Sequence, residues 1–143
     1  MPLIMLPAVR SAPAVAILAS ILALPACGEE EFGAPDRGSL ERIEETIDAF
    51  EEALEDRDLE GVCERIFSPE GRRRAGGEEC PRRLARTVAR VRDPDLELLG
   101  VTLGRGAAIA RVRASSAGAE PAIDTIRLVV VEGRYRIESL SGR

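Results

Sequence analysis

Apolar residues in the first half of the chain recur with the period of an α-helix. Behind Ser39, which can cap a helix, they are spaced four, three and four residues apart. Such a stripe predicts an amphipathic helix with one face on a core. The stripe consists of Ile43, Ile47, Phe50 and Leu54. The other faces of this helix are acidic and are expected to be solvated; they hold Glu44, Glu45, Asp48, Glu51, Glu52 and Glu55.

Two further helical segments are predicted before residue 95. A short helix capped by Asp58 directs Val62, Cys63, Ile66 and Phe67 inward, and Ser68 with Pro69 can start another helical turn. A third helix, roughly residues 78–92, follows Gly76 and Gly77. Its apolar side holds Cys80, Leu84, Val88 and Val91.

From Asp95 onwards the hydrophobic period changes to two, which is typical of β-strands. In the first strand the alternation changes parity around Gly100, and this indicates a β-bulge. Further strands are predicted over residues 107–114, 123–131 and 134–140, with a turn at residues 104–106 and a two-residue hairpin turn at residues 132–133. Helices followed by antiparallel strands predict an α+β domain in which a curved sheet packs on the helices.

This order of elements resembles the NTF2-like (SnoaL-like) superfamily, and more narrowly small exported bacterial lipoproteins of that fold. The resemblance spans residues 39–141 and implies a cone-shaped sheet closed by helices. It implies nothing about activity, because one fold hosts many functions. The residues that carry it are Phe50 to Asp58, Val62-Cys63, Ser68-Pro69, Cys80 and Gly133-Arg134-Tyr135-Arg136-Ile137.

The beginning of the chain has the pattern of an export signal. The apolar run from Ala14 to Leu24 is shorter than the ~20 residues that span a bilayer. It leads into Leu24-Pro25-Ala26-Cys27, which resembles the lipobox of bacterial lipoproteins although Pro25 departs from it. We therefore predict a signal peptide over 1–26, acylation of Cys27, a flexible tether over 27–38 and one domain over 39–143. An ordinary secretory signal and a membrane-spanning anchor are the alternatives.

The remaining cysteines, Cys63 and Cys80, form an even pair in a chain predicted to be exported. Oxidising compartments let disulfides persist, so we expect these two residues to bond to each other. The bond would stabilise the fold by about 3 kcal/mol in the chain-entropy picture. Metal binding would need more ligands and the chain has no His, and a redox pair is normally closer in sequence. No cofactor or metal is expected.

Charge is divided unevenly along the chain. All 20 basic residues are Arg, against 25 acids, for a net charge of −5. Residues 28–70 carry 16 acids and 4 Arg, whereas residues 71–143 carry 9 acids and 15 Arg. Such a division suits electrostatic docking, either between the two parts or on an envelope protein, and does not favour nucleic acid. Arg72-Arg73-Arg74 between two helices could bind phosphate or anionic lipid headgroups, or could be a solvated loop.

The absence of His excludes imidazole acid–base chemistry and Ser–His or Cys–His nucleophiles. The preferred interpretation is a non-catalytic lipoprotein on the outer face of the cytoplasmic membrane, anchored through Cys27, that binds a protein or a small ligand. The alternative is a lipid-anchored enzyme that uses Asp124 as its carboxylate and Tyr135 as a hydrogen-bond donor inside the cone. A third is a structural component of the envelope. An enclosed polar cavity with a perturbed carboxylate would favour the enzyme, and a filled cone would favour binding.

Overall fold

The computed structural model describes residues 33–141, in which helices precede a single antiparallel sheet. The predicted α+β class is confirmed. The predicted signal peptide and Cys27 lie outside the described residues. The helices are α1 (Arg37–Glu55), α2 (Leu59–Gly61, continuing as a π-helical turn, Val62–Ile66), α3 (Pro69–Arg74) and α4 (Cys80–Thr87, preceded by a 3-10 turn, Gly77–Glu79). The strands are β1 (Asp95–Gly104), β2 (Ala107–Ser115), β3 (Ala122–Val131) and β4 (Arg134–Ser141).

The sheet is a meander in the order β1-β2-β3-β4. The bulge predicted around Gly100 is present, as a register shift between Leu98 and Gly100, and a second irregularity lies between β3 and β4. Bulges bend the strands that carry them. The β3–β4 turn is formed by Glu132 and Gly133, whose φ angles of 51° and 77° are the positive values that a type I′ hairpin turn requires.

The core lies between one face of the sheet and the helices, and it is largely aliphatic. The predicted stripe of α1 is buried in full, and Phe50 meets Phe67 with ring centroids 6.1 Å apart. Facing these helices, the sheet contributes Ala108, Ala110, Val112, Ile126, Leu128 and Ile137. Val130, on the same side of β3 as Ile126 and Leu128, is half exposed near the end of that strand. Burial of the apolar side chains between the sheet and the helices is the main stabilising contribution in such a domain.

The first helix begins earlier than predicted. Asp36, not Ser39, is the N-cap: its carboxylate accepts from the backbone N–H of Ser39 at 2.9 Å and from the Ser39 hydroxyl at 2.7 Å. Upstream, the Gly33 N–H donates to the Leu103 carbonyl at 2.7 Å, and the Leu103 N–H donates back at 2.8 Å. Within the predicted tether, Gly33 therefore pairs with the β1 edge, and residues 36–38 belong to α1 and its N-cap.

The third predicted helix is shorter than expected and ends at Thr87 instead of residue 92. At this end the Arg57 guanidinium donates to the carbonyl oxygens of Val88, at 2.7 Å, and Val91. Arg57 itself has a φ of 60° and closes α1 in a Schellman motif, with the Asp58 N–H bonded to the Ala53 carbonyl. The end of α1 thus contacts the end of α4.

Within residues 33–141, no helix combines the length and the apolar character needed to cross a bilayer.

Candidate functional site

The two cysteines of the domain meet in its core, as the sequence predicted. Cys63 lies in the π-helical turn and Cys80 is the first residue of α4. Their sulfur atoms are at disulfide-bonding distance, and their Cα atoms are 6.1 Å apart, within the range that a disulfide spans. Both side chains are almost fully buried. The pair therefore ties α4 to the short helical segment that precedes α3.

Two surface carboxylates have shifted pKa values, and both cap helices. The Ser39 hydroxyl and N–H lower the pKa of Asp36 below its ordinary value of 3.8. The Gly61 N–H, and then the Arg65 guanidinium, lower the pKa of Asp58 in the same direction. Asp58 caps α2 as predicted, accepting from the Gly61 N–H at 2.9 Å. Their shifts follow from capping hydrogen bonds, which favour the ionised form.

Stability should therefore depend on these two groups in acid. Because both pKa values are lowered by folding, their contribution is complete above the ordinary Asp value of 3.8 and is lost as the pH falls through the folded values. We expect Asp36→Asn with Asp58→Asn, which keep cap acceptors, to flatten the loss of stability below about pH 4. Urea unfolding at pH 7 and pH 3 measures this. An identical fall in both proteins would contradict it.

A cleft of about 490 Å³ lies between α1, the π-helical turn and β4, and we call it the arginine cleft. Its charged lining consists of four arginines and a single glutamate: Arg42, Arg65, Arg134, Arg136 and Glu45. The Arg42 guanidinium carbon lies 5.9 Å from the centre of the Tyr135 ring, in a cation–π arrangement. Thr46 on α1 donates to the Tyr135 carbonyl at 3.2 Å. The cleft thus lies where the first helix contacts the last strand.

A second groove, of about 360 Å³, lies between α3, α4 and β4. Its lining includes apolar side chains of which Leu84 and Ile137 are buried and Leu140 is 42% exposed. Arg74 and Arg83 also line it. It is an apolar groove with basic residues among its lining.

Asp124 and Tyr135, the pair of the enzyme alternative, are not brought together. Asp124 pairs with Val112, and Tyr135 pairs with Val130, six residues farther along β3. At ~3.3 Å per residue the two positions are about 20 Å apart. Tyr135 lines the arginine cleft beside Arg42, and Asp124 does not. The two side chains therefore do not share one site.

Arg72, Arg73 and Arg74 do not form the solvated loop considered from the sequence. They form the last turn of α3, and each has a carboxylate partner. Arg72 pairs with Glu78 at 3.2 Å, and Arg73 and Arg74 both pair with Glu70. These three guanidinium groups are therefore largely neutralised by carboxylates of α3 and of the following 3-10 turn, unlike those of the arginine cleft.

The acidic face of α1 is exposed along the helix. It consists of Glu41, Glu44, Glu45, Asp48, Glu52 and Glu55. Within the part of the chain that the structure describes, none of these residues forms an ion pair. Of the other α1 acids, Glu51 turns to the sheet and accepts from the Leu96 N–H at 2.6 Å. The exposed acids of α1 are thus not paired with the arginines of α3 and α4, so the uneven charge does not hold these helices together.

Sequence reasoning missed the arginine cleft, because its members are spread from residue 42 to residue 136. The available signal was local: Arg134 and Arg136 flank Tyr135 in a strand that ends the sheet. Among residues 33–141, no group of three or more His, Cys, Asp or Glu side chains could hold a metal ion. Comparisons with known protein families, curated proteins and solved structures found no match.

Proposed function

We propose that this protein is an exported lipoprotein, anchored through acylated Cys27 to the outer face of the cytoplasmic membrane, and that its α+β domain is a non-catalytic binding module of NTF2-like fold. A helical layer followed by a bulged antiparallel sheet supports the fold assignment. The buried pair of Cys63 and Cys80 supports export, since disulfides persist in oxidising compartments.

The observation that carries the binding role is the filled inner face of the sheet. Ile43, Ile47 and Phe50 of α1 are buried against the aliphatic side chains of β2, β3 and β4. The arginine cleft and the groove beside α4 lie at the surface between helices and the edge strand. Because the inner face is packed with side chains, we expect ligands and partners to bind at the surface of the domain, as in a binding module.

The exposed acidic face of α1 is the surface that we assign to a protein partner. Its charges are unneutralised within the described chain, and clustered exposed charges steer association with an oppositely charged surface. Such steering is screened beyond ~8 Å at physiological ionic strength. The partner is therefore expected to be a basic protein of the envelope.

Affinity capture of the full chain from membrane extracts tests this proposal. We expect one basic protein to be captured at low salt and progressively lost as salt is raised. Asp48→Arg, in the centre of the acidic face, should reduce capture severalfold. Glu120→Arg makes the same charge change in the exposed loop before β3 and should leave capture unchanged.

Equal capture by the Asp48 variant and the wild type would show that α1 is not the docking surface.

The enzyme alternative is tested by substitutions of its two residues. If Asp124→Asn or Tyr135→Phe abolished turnover of a defined small molecule while the fold remained intact, the binding-module proposal would be wrong.

A further inference from the structure

The arginine cleft carries positive charge that the protein does not neutralise. Of its four arginines, Arg65 is paired with Asp58. Arg42, Arg134 and Arg136 form no ion pair within residues 33–141, and the Glu45 carboxylate, which also lines the cleft, contacts none of them at ion-pair distance. Like charges gathered around one cleft repel each other, and a bound anion would relieve that repulsion.

Arg136 is the most enclosed of the four arginines. Its Nε atom is buried and has no hydrogen-bond partner in the described part of the chain, although its Nη1 donates to the Glu64 carbonyl at 3.3 Å. Because Nε is inaccessible to solvent, a bound anion would contact the outer guanidinium nitrogens of Arg136 instead.

The walls of the cleft are held in place before any ligand arrives. Arg42 is fixed over the Tyr135 ring and donates to the Ser39 hydroxyl at 3.3 Å. Arg136 is held by the π-helical turn, whose Phe67 N–H bonds back to the Val62 carbonyl at 2.8 Å. Preorganised donors bind more tightly because less side-chain entropy is lost.

Guanidinium groups match phosphate and carboxylate oxygens in geometry as well as in charge. A volume of about 490 Å³ is enough for a phosphate group together with the moiety that it is attached to.

The cleft also lies at the tethered end of the domain, since Arg134 begins β4 beside the β3–β4 turn and Leu103, which holds Gly33, precedes the β1–β2 turn. A chain extended from Cys27 to Gly33 reaches about 20 Å.

We propose that the arginine cleft binds the phosphate group of an anionic ligand, which is either the headgroup of an anionic phospholipid or a soluble phosphate compound. The inference rests on the binding role proposed above and names a ligand class for it. It assigns Arg42, Arg134 and Arg136 as the binding residues and Tyr135 as the side chain that positions Arg42.

The test uses the full chain carrying Cys27→Ser, so that no acyl group at that position can carry membrane binding. Calorimetric titration with inorganic phosphate measures the soluble source. Co-sedimentation with vesicles of phosphatidylcholine, with and without phosphatidylglycerol, measures the headgroup source. The cleft variant is Arg42→Gln with Arg134→Gln, and the control is Arg90→Gln with Arg111→Gln, which removes the same charge from exposed positions outside the cleft.

We expect binding to phosphate, to phosphatidylglycerol vesicles or to both, weakened at least about tenfold by the cleft variant and unchanged by the control. Binding to the vesicles alone identifies a headgroup, and binding to inorganic phosphate identifies a soluble ligand. Binding to neither probe, or equal weakening by both variants, overturns the proposal. Because Cys27 is replaced throughout, this failure would leave the lipoprotein assignment and the partner capture to stand or fall on their own tests.

Discussion

Replacing both Cys63 and Cys80 with Ala should lower the free energy of unfolding by about 3 kcal/mol, because the open chain regains the loop entropy that the bond removes. The two residues are 17 apart in sequence and join α4 to the segment before α3. Reduction of the wild type should have the same effect. Urea unfolding followed by circular dichroism, with and without reductant, measures both.

Cys27→Ser is the matched control, since this residue precedes the predicted domain and its replacement is expected to leave the unfolding midpoint unchanged. Two results would contradict the role given to the pair. One is that reductant has no effect on the wild type; the other is that both cysteines are alkylated in the native protein.

Gly71→Ala should destabilise the domain by about 1–3 kcal/mol, although Ala is the better helix former. A Cβ at Gly71 would lie 2.5 Å from the Ile137 carbonyl oxygen and 3.1 Å from that of Glu138. Both atoms belong to the backbone of β4 and cannot move aside, so α3 would be pushed off the strand. Helix propensity alone predicts the opposite sign, a gain of up to about 1 kcal/mol.

Gly100→Ala is the control for this change. No atom lies within 4 Å of a Cβ built at Gly100, so we expect an effect of less than about 0.5 kcal/mol. Unfolding free energies of the two variants should therefore differ clearly. If Gly71→Ala were as stable as the wild type, the close approach of α3 to β4 would not exist in solution.

The fold was predictable where the hydrophobic period was sustained and the turn chemistry was local. The α1 stripe, the strand meander, the bulge around Gly100 and the turn at Glu132 and Gly133 all have such signals. The helix boundaries were less predictable because long-range contacts set them. Arg57 bonds to the carbonyl of Val88 just beyond α4 from 31 residues away, and no local pattern reveals that bond.

The candidate sites divide in the same way. The cysteine pair could be predicted because, once Cys27 is assigned to acylation, Cys63 and Cys80 are the two cysteines left to pair. The arginine cleft could not, since it depends on α1 crossing β4 and on a π-helical turn that brings Arg65 beside Arg136. Asp124 and Tyr135 face the same side of the sheet, but the register between β3 and β4 places them far apart along the strands.

The assignment as a disulfide-linked lipoprotein is tested most directly by intact mass spectrometry of the protein purified from its own membranes. We predict a chain that begins at Cys27, carries several acyl groups there, and is lighter by two hydrogens than the reduced form because Cys63 and Cys80 are bonded. A single acyl chain would anchor the protein only marginally. An unmodified N-terminus at any other residue would contradict the lipoprotein assignment, and a mass unchanged by reduction would contradict the disulfide.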